Sequence, residues 1–213
     1  MEILNYFLNM SWIEMTATVF GIICVYYCVK NHVLAWPTGV VTVIAWGYLF
    51  FNEWKLYSDA MLQIFYFFPI QFYGWWLWAQ KTEKMSFWKK WFWNSYTEKS
   101  IVKITLLSNL ERVVWSTLIV ILSVSWGWIM ATYTDANLPY IDALTVGMSI
   151  VAQYLMGKRV LENWILWIGM DIIALYKYSA VGAYGATFLY VIFTVLATMG
   201  LIEWIRERNN EQH

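Results

Sequence analysis

Seven runs of mostly apolar residues divide this chain, each about as long as a helix needs to cross a bilayer, ~17–25 residues. They cover Trp12–Val29, Leu34–Phe51, Ala60–Ala79, Val113–Ala131, Tyr140–Met156, Asn163–Tyr178 and Val181–Trp204. In lipid every backbone N–H and C=O must be satisfied inside the segment, so runs of this kind predict helices. Composition argues the same way. Hydrophobic residues make up 61% of the 213 and charged residues 13%, against about 25% charged in an ordinary soluble domain. Forty-three residues are aromatic, more than a soluble chain of this length could bury. The formal net charge is zero, which leaves no basic field for nucleic acid. No Ser/Gly-rich linker interrupts the chain, so residues 1–213 read as one integral membrane domain of class all-α.

Basic residues predict the direction of insertion, because Lys and Arg concentrate in cytoplasmic loops. Loops one, three and five and the C-terminal tail share one side and hold twelve of them: Lys30, Lys81, Lys84, Lys89, Lys90, Lys99, Lys103, Arg112, Lys158, Arg159, Arg206 and Arg208. The other side holds Lys55 and Lys177. The N-terminus is expected outside and the C-terminus in the cytoplasm. No cleavable signal is expected, since the first ten residues lack Lys and Arg. The long third loop carries Ser86-Phe87-Trp88-Lys89-Lys90-Trp91-Phe92-Trp93, a mixture suited to a short helix in the headgroup layer. Trp12, Trp54, Trp78, Trp126, Trp128 and Trp204 lie at span ends and read as interfacial anchors.

The first three spans resemble the last three. At an offset of 128, Glu14 meets Asp142, Tyr26 meets Tyr154, Lys30 meets Lys158, Trp36 meets Trp164 and Tyr48 meets Tyr176. Removing two residues from the second copy changes the offset to 126, and Gly74 meets Gly200 and Trp78 meets Trp204. Seven matches in order indicate an internal duplication. Two three-helix units in one orientation need an odd number of helices between them, which span four supplies. The expected architecture is 3+1+3: repeat one about 11–79, linker and span four about 80–132, repeat two about 139–205. Transporters with parallel repeats bind substrate between them near the midplane.

Polar residues inside spans are costly and usually face the bundle interior. On span six, Asn163, Trp164, Trp167 and Asp171 share one helical face. Their counterparts Ala35, Trp36, Gly39 and Val43 are apolar or small. A ligand held between the copies explains such asymmetry; a structural hydrogen-bond network is the alternative. Gln63, Tyr66 and Phe67 on span three, and Ser149 and Gln153 on span five, extend the candidate site. Gln offers an uncharged donor and acceptor, suited to hydroxyls or an amide, or to an interhelical bond. Glu14 and Asp142 open their repeats, where the helix dipole favours a carboxylate. Cys24 and Cys28, one turn apart, read as core thiols. With His32 and His213 the only histidines, no zinc or haem ligand set is evident. Neither a Ser-His-Asp set nor a phosphate-binding loop is present, so no enzyme activity and no cofactor are expected.

At these residues the chain resembles the PnuC family of vitamin-precursor transporters. The resemblance rests on Ser11-Trp12-Ile13-Glu14, Leu56-Tyr57-Ser58-Asp59, Leu62-Gln63 and Tyr73-Gly74-Trp75 in the first half. In the second half it rests on Ser149-Ile150-Val151-Ala152, Leu155-Met156 and Glu162-Asn163-Trp164-Ile165-Leu166-Trp167. It implies a SWEET-like fold of seven helices, a homotrimer, and uptake of nicotinamide riboside by facilitated diffusion, with trapping by a separate cytoplasmic kinase. It also implies a bacterial inner-membrane location and a site between the bundles walled by span six. Some nicotinamide riboside members carry Asn where this chain has Asp171, and related members carry thiamine, also an aromatic cation. Thiamine is therefore the alternative substrate, and a non-transporting membrane scaffold the alternative of another class.

Overall fold

The structure, a computed structural model, describes residues 10–53, 57–79, 103–134, 138–180 and 184–211. The described elements are α-helices with two π-helical turns and one isolated β-bridge. We number the helices α1 Trp12–Val29, α2 Ala35–Tyr48, α3 Tyr57–Leu62, α4 Phe68–Ala79, α5 Asn109–Tyr133, α6 Pro139–Gly157, α7 Glu162–Ala180 and α8 Tyr184–Glu211. The aromatic-lysine stretch Ser86–Trp93 and Trp54 lie outside the described residues.

Local chemistry sets several helix starts. The Ser11 hydroxyl accepts the Glu14 N–H at 3.2 Å, and Glu14 stands in the first turn of α1, where its charge complements the helix dipole. A capping box of Ser108 and Glu111 opens α5. Pro139 opens α6, whose first turn holds Asp142. Between α3 and α4 the chain widens into a π-helical turn, Gln63–Phe67, with the Phe68 N–H reaching the Gln63 carbonyl. Pro69 follows at once. It lacks an N–H and its ring crowds the preceding turn, and the widened turn absorbs that mismatch.

Six elements close a ring. Going round, α1 touches α2, α2 touches α4, α4 touches α6, α6 touches α7, α7 touches α8, and α8 returns to α1. α5 packs outside, on α6. Among the described residues three helices, Trp12–Val29, Asn109–Tyr133 and Thr187–Asn210, are long and apolar enough on those grounds alone to cross a membrane. Large apolar side chains point outward along much of the bundle, Leu110, Val113, Val120, Val124 and Trp128 of α5 among them. Such a surface suits lipid. α8 runs past the expected limit of Trp204 to Glu211, and its polar end is used: Glu203 pairs with Lys30 at 3.2 Å.

The turn after α1 and the turn after α6 match bond for bond at the offset of 128. The Lys30 N–H reaches Tyr26 at 3.1 Å, and the Lys158 N–H reaches Tyr154 at 3.2 Å. The His32 N–H reaches Tyr27, and the Val160 N–H reaches Leu155, both at 2.9 Å. The Trp36 N–H reaches Val33, and the Trp164 N–H reaches Leu161, both at 3.2 Å. In both turns the residue past the cap is left-handed, Asn31 at φ 50° and Arg159 at φ 58°. Such a residue closes the last carbonyls of a helix. Asn adopts this conformation readily. An arginine there carries strain, which its buried side chain offsets.

Candidate substrate site

At the end of the ring that carries the C-terminus, four tryptophans form a floor. Trp36 meets Trp78 edge-on at 5.2 Å, Trp164 meets Trp204 edge-on at 5.4 Å, and Trp78 and Trp204 join the pairs at 6.2 Å. The arrangement is reciprocal. The Trp78 indole N–H donates to the Gly157 carbonyl, and that of Trp204 donates to the Cys28 carbonyl, both at 3.1 Å. The third helix of each half thereby satisfies the orphaned helix end of the other. Fit is tight: a Cβ on Gly74 would stand 2.1 Å from the Trp36 ring, and one on Gly200 2.6 Å from Trp164. Trp78 and Trp204 are thus core residues, which corrects the expectation that they anchor in the interface. Their place near span ends is shared by belt tryptophans, but each faces inward to cap a helix.

A single cation seals this floor. The Arg159 guanidinium, 1% exposed, lies 5.2 Å from the Trp78 ring and 5.7 Å from that of Trp204. Indole faces attract a cation, most strongly where water is absent. Glu207 of α8 approaches Arg159 at 3.9 Å and also accepts from the Asn31 amide. One carboxylate therefore binds both left-handed residues. Counted by sequence as a loop charge, Arg159 is instead folded into the core by its φ.

One turn inward from the floor the halves diverge. Trp167 of α7 packs partly buried against the tryptophan core; its counterpart on α2 is Gly39. Two turns in, Asp171 is 3% exposed and its counterpart is Val43. Asn163, Trp164, Trp167 and Asp171, expected to share one face of span six, all lie along α7. Asn163 is buried in the first turn, its amide donating to the Val160 carbonyl at 2.6 Å. Its Oδ1 and the indole N–H groups of Trp164, Trp167 and Trp36 are buried without a hydrogen-bond partner. Buried polar atoms are almost always satisfied, so this cluster has capacity for a polar ligand or water.

The other expected residues come from the π-helical turn before α4 and from α6, the neighbour of α7. The Tyr66 hydroxyl donates to the Ile150 carbonyl, joining the π-helical turn to α6. That bond fixes Tyr66 beside the helix that carries Gln153, one turn from Ile150, and leaves its oxygen free only as an acceptor. Phe67 stacks edge-on against Tyr66 at 5.4 Å. Gln63 sits in the π-helical turn, backed by Gly47 of α2. The Ser149 hydroxyl donates to the Val146 carbonyl of its own helix at 2.9 Å. Cys28 is buried, and the Cys24 thiol donates to the Ala35 carbonyl at 3.2 Å, both free thiols. Among the described residues no group of three His, Cys, Asp or Glu side chains could hold a metal. Sequence reasoning passed over Gln71, a buried amide on α4. The rule that selected the other polar residues within spans applies to it equally.

Known proteins resemble this chain along most of its length. The family model described as nicotinamide mononucleotide transporter matches residues 11–206. The nicotinamide riboside transporter PnuC of Escherichia coli (strain K12) is 27% identical over 216 residues, 95% of this chain and 90% of that protein. The PnuC of Neisseria mucosa is 29% identical, covering 92% and 73%. The riboflavin/roseoflavin transporter RibM of Streptomyces davaonensis is 22% identical, covering 96% and 90%. Among solved structures, the crystal structure of the vitamin B3 transporter PnuC superposes with a TM-score of 0.75 at 24% identity, covering 98% of this chain and 87% of that one; it supports the all-helical fold. The chain belongs to the nicotinamide mononucleotide transporter family, whose members are membrane transporters and not enzymes.

Proposed function

We propose that this chain carries nicotinamide riboside across a bacterial inner membrane by facilitated diffusion. The observation that carries the reading is the face of α7: a half-buried indole, a buried carboxylate and unpartnered buried polar atoms, inside a closed ring of helices. Nicotinamide riboside is a pyridinium joined to a sugar. Trp167 offers a face to the flat cation and Asp171 a buried carboxyl that can hydrogen-bond a hydroxyl. Asn163, Gln63, Tyr66 and Gln153 offer hydrogen bonds to hydroxyls or carboxamide. Trp164 lies deepest, as floor more than wall. The names of the relatives in Escherichia coli and Neisseria mucosa point to the same substrate. Where the family description says mononucleotide, the site argues for the nucleoside. A phosphate needs a cationic clamp, and Arg159 is already engaged by Glu207. A nucleotide made by a cytoplasmic kinase would be excluded and so trapped.

The architecture we propose around this site is seven spans in a 3+1+3 order within one membrane domain, repeats at about 11–79 and 139–205, with 80–132 between. The equivalent turns at Asn31 and Arg159 support it. The basic excess supports an outside N-terminus and a cytoplasmic C-terminus. The family resemblance supports a homotrimer. Liposomes holding the purified chain should equilibrate nicotinamide riboside without concentrating it. Accumulation under an imposed proton or sodium gradient would contradict facilitated diffusion, and absence of any flux would leave a scaffold. Asp171 favours one second reading, thiamine, whose aminopyrimidine a carboxylate could bind. In competition binding, Asp171→Asn should retain nicotinamide riboside; tight thiamine binding by the parent, lost in this variant, would select the alternative.

A further inference from the structure

This inference rests on the transporter reading above and concerns Gln71. Its side chain is 5% exposed within an apolar helix, and its amide lies over Gly39 of α2. A Cβ on Gly39 would stand 2.5 Å from the Gln71 Oε1 and 3.1 Å from its Nε2. At the repeat offsets Gly39 corresponds to Trp167 and Gln71 to Ala197, a buried core residue. Each half therefore places one large and one small residue at the same helix pair, but the two are exchanged. In the second half the large group is an indole on the second helix. In the first half it is an amide on the third helix. Both stand one turn inward from the floor pairs Trp36–Gly74 and Trp164–Gly200.

The ring order puts α2 opposite α7. The amide over Gly39 and the indole of Trp167 thus stand across the ring at the same depth. Packing accounts for the size of Gln71 and not for its chemistry. Leu or Met would fill the notch over Gly39 without the cost of burying an amide. We propose that Gln71 is a specificity-determining residue: it hydrogen-bonds the uncharged polar substituent of an aromatic ring stacked on Trp167. A primary amide carries a donor and an acceptor side by side, which complements a ring carboxamide with two parallel bonds.

The test uses the purified full chain and two ligands, nicotinamide riboside and the pyridinium riboside that lacks the carboxamide. Gln71→Leu keeps the volume and removes the amide, and Gln71→Met is a second variant should the first fold poorly. Titration calorimetry should show nicotinamide riboside binding about ten- to thirtyfold weaker in the variants, with the carboxamide-free ligand within twofold of the parent. Variants that bind nicotinamide riboside like a binding-competent parent overturn this inference alone. Equal losses for both ligands overturn it too, because the amide would not be reading the substituent. A parent that binds neither ligand overturns the transporter reading and this inference with it.

Discussion

The floor of the ring and the layer one turn inward are made by the same helices, yet they differ in kind. In the floor the halves are near copies: paired tryptophans, glycines that admit them, and indole donors exchanged between halves. In the layer above, Gly39 and Gln71 correspond to Trp167 and Ala197, and Val43 to Asp171. The two sets of helices match where they pack against each other and differ one turn inward.

The comparison can be broken by moving substitutions from one layer to the other. Trp164→Ala empties a fully buried site in the floor and should cost about 3–5 kcal/mol of stability, read as a lower unfolding temperature in detergent with early loss of folded protein. Gly74→Ala drives a methyl into the Trp36 ring and should cost about 1–3 kcal/mol. Gly39→Ala meets first the end of the flexible Gln71 side chain, so it should unfold nearer the parent temperature than Gly74→Ala. If Gly39→Ala proves as damaging as Gly74→Ala, the layers are not distinct.

Trp167→Ala should differ from Trp164→Ala. Because Trp167 is only partly buried, its loss should cost less stability than Trp164→Ala and weaken substrate binding by about 1–3 kcal/mol, from lost stacking and cation–π attraction. Trp126→Ala, half-exposed on the outer helix, is the control. A binding loss confined to the control would move the site off α7. Among the substitutions expected to cost stability, Glu207→Gln costs the least. It removes the carboxylate beside Arg159 but keeps an acceptor for Asn31. Since Glu207 is partly exposed, about 1–2 kcal/mol of stability should go, and adding salt should diminish the difference between variant and parent.

Much of this frame was readable in sequence. α1 spans the expected Trp12–Val29, because an N-cap serine and an apolar run are local signals. The candidate face of α7 followed from spacing and from comparing copies. What escaped depends on distance along the chain. Trp204 donates to Cys28, 176 residues away, and no window on either segment separates it from a belt tryptophan. By sequence Arg159 counts as a loop charge, and only its left-handed backbone turns it inward. Gln71 acquires meaning from the missing side chain of Gly39, a relation between two helices that neither periodicity reveals.

The bridge ahead of α5 has a mechanical consequence. The Thr105 N–H bonds to the Arg159 carbonyl at 3.1 Å, and the Leu161 N–H returns to Thr105 at 2.9 Å. Arg112 then grips Glu162 at 2.9 Å. The strand that leads into the outer helix is thereby clamped to the first turn of α7, next to Asn163. A displacement of the segment at Thr105 would therefore be felt first at that turn, ahead of the rest of the ring.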